Sequence, residues 1–172
     1  MLVQALASAS SMNFIPIKGP EIFSKYLGET EAKLRRIFAM ARQIAPCVIF
    51  FDEMDSIGSK RGWGGEGGGG ESNGVNERVL STLLNEMDGV EERTDVFVIG
   101  CTNRPGAMDD ALLRPGRLDQ LIYLGYPDLQ DRREIIETIA QRIPLALDED
   151  HLLSVAKATV GFSPADLEAL FR

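Results

Sequence analysis

A chain of 172 residues, 44% hydrophobic and 26% charged, has the composition of an ordinary globular protein and the length of one domain or one and a half. Its 18 basic against 26 acidic side chains give a net charge of -8, which argues against a general nucleic-acid surface, because phosphate binding needs clustered Lys and Arg. No apolar run approaches the roughly 18 residues of a membrane span, and no basic residue precedes the mild apolar stretch at the start, so neither a transmembrane segment nor a secretory signal is expected.

In chain order, Asn13 to Ile17 reads as a short strand. Leu34, Ile37, Phe38 and Ala41 then fall at the i, i+3, i+4, i+7 spacing of one helix face. Cys47 to Asp52 is a strong strand, apolar until it ends in Asp52 and Glu53. Gly62 to Gly74 is a low-complexity glycine tract carrying Trp63, and it reads as a loop. Val79, Leu80, Leu83, Leu84 and Met87 mark a second helix face, and Val96 to Thr102 and Gln120 to Leu124 two more strands. Strands alternating with helices of this length imply an α/β fold with a mainly parallel sheet, and near-continuous apolar strands imply that both its faces are covered.

After Pro127 the strands stop. Helices are expected over Arg132 to Ile143 and Asp150 to Ala158, and from Ser163 onward, where Ser163 is the N-cap, Pro164 the first helical residue and Asp166 the reciprocal partner of a capping box. The division is therefore 1–126, a large α/β part, and 127–172, a partial helical part. Cys47 and Cys101 lie in apolar strands and read as buried, reduced thiols, which fits a cytoplasmic or nuclear compartment. His151 reads as a solvated residue at a helix start.

Chemistry gathers at the carboxyl ends of the strands, where open α/β sheets bind ligands. Asp52 and Glu53 suit nucleoside-triphosphate hydrolysis: the Asp would hold Mg²⁺ and the Glu would orient the attacking water. A strand ending in solvated acids is the plain alternative. Asn103 falls at the same edge, where an amide positions water or a phosphate oxygen without adding charge. Arg114 and Arg117 flank a Pro-Gly turn, and guanidinium groups match phosphate charge; surface salt bridges are the alternative.

"VIFFDE", "TNRPGAMDDALLRPGRLD" and "GFSPADL", in this order and spacing, resemble a AAA ATPase module over essentially the whole chain. The likeness is to the valosin-containing-protein type, especially its second ATPase ring, with the nuclear valosin-like and peroxisome-biogenesis ATPases as near relatives. It implies a P-loop NTPase core with a helical lid, and ATP and Mg²⁺ as cofactors. Val48 to Glu53 would be the Walker B strand, Asn103 sensor 1, and Arg114 and Arg117 arginine fingers reaching a neighbouring subunit's nucleotide. Met87 to Val90 resembles the segment that reports nucleotide state between subunits. Gly161 and Ala165 would lie beside the adenine, although Pro164 stands where relatives commonly have Gly. Lys25, Tyr26, Leu27 and Gly28 resemble the loop that grips polypeptide in the central pore; a buried tyrosine capping a core helix is the plain alternative. Residues 62–74 fall where a second pore loop would lie, and a plain flexible insertion is the other reading. The implied assembly is a homo- or hetero-hexamer of the full-length parent, acting on polypeptide substrates delivered by adaptor proteins, without direct nucleic-acid binding, in the cytoplasm or nucleus or peripheral on an organelle membrane.

No G-x-x-x-x-G-K-[ST] occurs in these residues. The resemblance implies that the chain begins just after that loop, at the first turn of the following helix, and that the strand feeding the loop is missing from the sheet interior. Two readings follow. One is a piece of an ATP-driven protein-unfolding or segregase motor, itself catalytically incompetent; the other is a non-catalytic interaction or scaffold module.

Overall fold

The computed structural model describes residues 2–24, 26, 28–59, 71–90, 95–141 and 148–172. They form two compact units, Met1–Leu121 and Ile122–Arg172. The first unit runs α1 (Leu2–Ala9), β1 (Asn13–Lys18), α2 (Gly19–Ile22), α3 (Glu29–Gln43), β2 (Cys47–Asp52), α4 (Glu71–Asp88) and β3 (Val96–Gly100). The strands are parallel in the order β1-β2-β3. Lys18 pairs with Asp52 and Phe51 with Gly100, so all three carboxyl ends reach one edge. The α/β parallel-sheet expectation therefore holds.

Side-chain alternation along β2 decides what each face packs against. Cys47, Ile49 and Phe51 point toward α3 and α4, where Leu34, Phe38, Ala41, Val79, Leu83 and Met87 complete one buried core. The Phe38 and Phe51 rings lie 6.3 Å apart. Each such side chain contributes about 1.5–3 kcal/mol when fully buried. The helical spacings read from the sequence thus mark the core-facing sides of α3 and α4. On the other face Phe14 stacks on Phe50 at 5.9 Å, but Phe97 remains 53% exposed. Coverage of both faces, expected from the apolar strands, is complete only on the α3–α4 side among the described residues.

Three sequence expectations need correction. Gln120 to Leu124 is not a strand: Leu121, Ile122, Tyr123 and Leu124 are 72–91% exposed and make no ladder among the described residues. Strand propensity creates no strand without a neighbour for its N–H and C=O groups. The third strand stops at Gly100, and Cys101, which follows it, is half-buried rather than buried. Of the glycine tract, 62–70 lie outside the described residues, and Glu71 to Gly74 already belong to α4.

The second unit contains α5 (Leu129–Ala140), α6 (Glu149–Ala158) and α7 (Pro164–Leu170) around Ile136, Leu152, Ala156 and Leu167. The first of these starts earlier than the expected Arg132 to Ile143, because Asp128 and Asp131 form a capping box, and it ends at Ala140; residues 142–147 lie outside the described set. Arg132 is buried and, among the described residues, has no carboxylate partner; it donates instead to the carbonyls of Ala156 (3.0 Å) and Pro127 (2.9 Å). The Ser163–Asp166 capping box on α7, with Pro164 at its start, is the one read from the sequence.

One glycine fixes how β1 hands the chain to α2. A Cβ on Gly19 would stand 2.1 Å from Ser56 Oγ and 2.5 Å from the Glu53 carbonyl oxygen. The hydroxyl could rotate away, but the backbone carbonyl could not. Gly19→Ala should therefore destabilise the first unit by roughly 1–3 kcal/mol through overpacking, read as a lower denaturation midpoint.

Candidate functional site

The site is built on the turn that ends β2. Asp52 is exposed, and its Oδ1 accepts the Glu53 N–H at 3.1 Å. Glu53 is also exposed and sits in the left-handed region, φ 52° and ψ 49°. A non-glycine residue held there costs on the order of 1–3 kcal/mol and persists only where its surroundings over-determine it. The surroundings do so here. The Glu53 carbonyl accepts from the Ser56 N–H (3.0 Å) and the Ser56 hydroxyl (2.8 Å), while Met54 N–H donates to the Cys101 carbonyl at 2.9 Å. The result aims a carboxylate outward from the carboxyl edge of the sheet.

The exit of β3 is fastened to the same turn. Cys101 N–H donates to the Phe51 carbonyl at 2.8 Å, and burial followed by the charge of Asp52 pushes the Cys101 thiol up from its ordinary range. Beyond it lie Thr102, Asn103 and Arg104. Asp55, only 9% exposed, accepts from the Thr102 hydroxyl at 2.8 Å and from Arg104 Nε at 3.0 Å. A second guanidinium nitrogen of Arg104 also lies 3.0 Å from Asp55. Asn103, between these two, is exposed and its amide has no partner among the described residues. Asp52, Glu53 and Asn103 are therefore brought to one edge by a shared framework. Sequence reading named these three but gave Asp55, Thr102 and Arg104 no role. The only available signal was a third acid two positions beyond Glu53.

The arginine turn is equally fixed. Leu112 is fully buried, and Asp109 N–H donates to the Gly58 carbonyl at 2.7 Å, anchoring the segment before it. Arg117 N–H then donates to the Arg114 carbonyl at 3.1 Å across Pro115 and Gly116, whose φ is 84°. Proline followed by a left-handed glycine is the sequence of a type II turn. The two guanidinium groups differ. Arg117 is forked onto Asp88, at 2.6 and 2.7 Å, with a third bond to the Ala111 carbonyl at 2.6 Å. These hydrogen bonds hold the Asp88 carboxyl below its usual range and raise Arg117 further. Arg114 is exposed and has no partner among the described residues.

The remaining candidates belong to other elements. Lys25 and Leu27 fall outside the described residues, but Tyr26 is 72% exposed, which removes the reading of a core tyrosine. Its loop is tied down behind it: Ser24 Oγ donates to Glu29 at 2.5 Å and accepts from Tyr26 N–H at 3.2 Å, and buried Thr30 accepts from Ser24 N–H at 3.0 Å. Gly28 closes the loop with φ 82°. Gly161, φ 83°, and Ala165, in the first turn of α7, belong to the second unit. His151 is exposed near the start of α6, its ring nitrogen 2.5 Å from the N-cap Asp148.

The carboxyl edge suits Mg²⁺ as its donors would predict. No cluster of three metal-binding side chains exists among the described residues. Mg²⁺ commonly takes one or two carboxylates together with waters and substrate phosphates, and the exposed Asp52 oxygens meet that requirement. If the Glu53 backbone carries strain for the sake of its side chain, Glu53→Gly should melt no lower than the unsubstituted chain in a thermal scan.

A protein-family model described as "ATPase family associated with various cellular activities (AAA)" matches residues 1–126, well over half of the chain. The parallel sheet, the acidic end of β2 and the fastened loop after β3 all lie inside that match, and the chain belongs to the AAA family of ATPases.

Proposed function

We propose that this chain supplies the hydrolytic edge and the trans-acting arginine of an ATP-driven, ring-shaped protein-remodelling motor of the valosin-containing-protein type. The observation that carries the reading is the common fastening of the Asp52–Glu53 turn and the Asn103 loop. Members of this family generally use ATP with Mg²⁺ and commonly assemble as hexamers. Bound Mg²⁺ would neutralise charge developing on the phosphates. Asp52 would hold it, Glu53 would orient the attacking water, and the Asn103 amide would position that water or a phosphate oxygen. Such groups act chiefly by being fixed beforehand, which the strained Glu53 turn and the pinned loop both support.

The two arginines take different parts in this scheme. Arg114 is free to reach a phosphate on an adjoining copy, and arginines supplied in trans are worth roughly 10³–10⁵ in turnover in other nucleotidases. Arg117, forked onto Asp88 within the segment Met87 to Val90, braces the turn that presents Arg114. Exposed Tyr26, on a loop anchored through Ser24 and Thr30, suits a grip on unfolded polypeptide that needs no sequence recognition. Gly161 and Ala165 would approach the adenine. No helix among the described residues is long and apolar enough to cross a membrane.

The 172 residues alone contain no phosphate-cradling glycine loop, so they should show no measurable ATPase activity; robust turnover by this chain would remove the scheme. Preceded by a strand and a G-x-x-x-x-G-K-T loop, the same chain should hydrolyse ATP, whereas a scaffold module would not. In that extended chain Glu53→Gln should keep nucleotide binding and abolish hydrolysis. Mixing inactive Glu53→Gln chains with inactive Arg114→Ala chains should restore part of the turnover, because some interfaces then pair an intact Glu53 with an intact Arg114. No recovery on mixing would place Arg114 outside the neighbour's site.

A further inference from the structure

The buried carboxylate of Asp55 contacts neither of the exposed acids beside it, yet its partners bracket Asn103 on both sides. Its Oδ1 takes the Thr102 hydroxyl and its Oδ2 the Arg104 guanidinium. Thr102 Oγ1 in turn accepts the Arg104 backbone N–H at 2.9 Å, closing a ring of hydrogen bonds beneath Asn103. The Arg104 side chain is itself 69% exposed, so it reaches inward from solvent to meet a carboxylate that is only 9% exposed. A buried carboxylate needs such partners to offset its lost hydration. The choice of partners is informative, because satisfying Asp55 immobilises the two neighbours of an unpaired amide. Two backbone bonds add to this: Cys101 to Phe51, and Met54 to Cys101.

We propose that Asp55 is a positioning residue, which sets the separation between Asn103 and the Glu53 turn by clamping Thr102 and Arg104. It touches no reacting atom. Its effect passes through Asn103, and it rests on the reading that Asn103 and Glu53 serve the same phosphate. Because Asp55 lies two residues beyond Glu53 and its partners lie on the loop after β3, neither element can shift its functional side chain alone.

Two measurements test this. In the 172-residue chain, Asp55→Asn should speed hydrogen exchange at the Met54 and Arg104 amides at least about tenfold while α3 and α4 stay protected. Unchanged exchange at those amides would overturn the clamp. In the chain extended by the phosphate-binding loop, Asp55→Asn should lower kcat roughly 10-fold to 100-fold, the scale of a small misplacement, with KM for ATP within about twofold. Arg104→Gln, a change at an exposed side chain, should reproduce that loss, and the double variant should be no slower than either single one. In an Asn103→Ala background Asp55→Asn should cost nothing further. A full additional loss there, or an unchanged kcat with Asn103 present, would overturn the positioning role. Should the extended chain fail to turn over ATP, the proposed function falls, while the exchange measurement still decides whether Asp55 clamps the loop.

Discussion

The turn from β2 and the loop from β3 are held together by a buried carboxylate, that of Asp55, together with two backbone hydrogen bonds at Cys101. A parallel ladder brings Phe51 beside Gly100 but says nothing about the residues beyond. Those residues leave the ladder in an irregular path, where backbone groups would otherwise need water or other partners. Asp55 supplies the link, with a hydroxyl and a guanidinium that belong to the opposite segment. Because the carboxylate is largely withdrawn from water, its bonds are stronger than surface pairs and costly to leave unmade. The edge is therefore rigid where its exposed side chains need a fixed origin.

Rigidity there has a local cost. Glu53 adopts a left-handed backbone that only its surroundings enforce: two donors from Ser56 on its carbonyl, and Gly19 drawn close enough to leave no room for a Cβ. The well-packed core beneath, where Phe51 meets Phe38 and α3 meets α4, is what can absorb such strain. A stable scaffold thus carries an unfavourable conformation at the residue proposed to orient the attacking water.

The arginine turn divides labour in the same way. Gly116 permits the turn that puts Arg114 and Arg117 on one rigid element, yet only Arg114 remains unpaired among the described residues. Arg117 engages Asp88 at the end of α4 through a planar fork that a lysine could not reproduce. A change at the end of α4 would therefore be felt at the turn. The cleft of about 290 Å³ between this turn and β3, lined in part by Val90, Phe97 and Arg117, gives the turn space on that side.

Much of this was written in the sequence. The run Cys47 to Asp52 could be little but a buried strand, the spacing of Leu34, Phe38 and Ala41 fixed a helix face, and Ser163-Pro164-Ala165-Asp166 specified its own capping box. These features depend on neighbours within a few residues, so local pattern suffices. The candidates Asp52, Glu53 and Asn103 were legible because chemistry and strand ends coincide. Asp55 was not, because its partners lie 47 and 49 residues away and nothing local pairs an acid with a distant Thr and Arg. Nor could pattern distinguish Arg114 from Arg117, since which one Asp88 captures is decided by where α4 ends in space. Leu121 to Leu124 shows the converse: four residues with every local mark of a strand remain exposed, because a ladder needs a second backbone and only the fold can bring one.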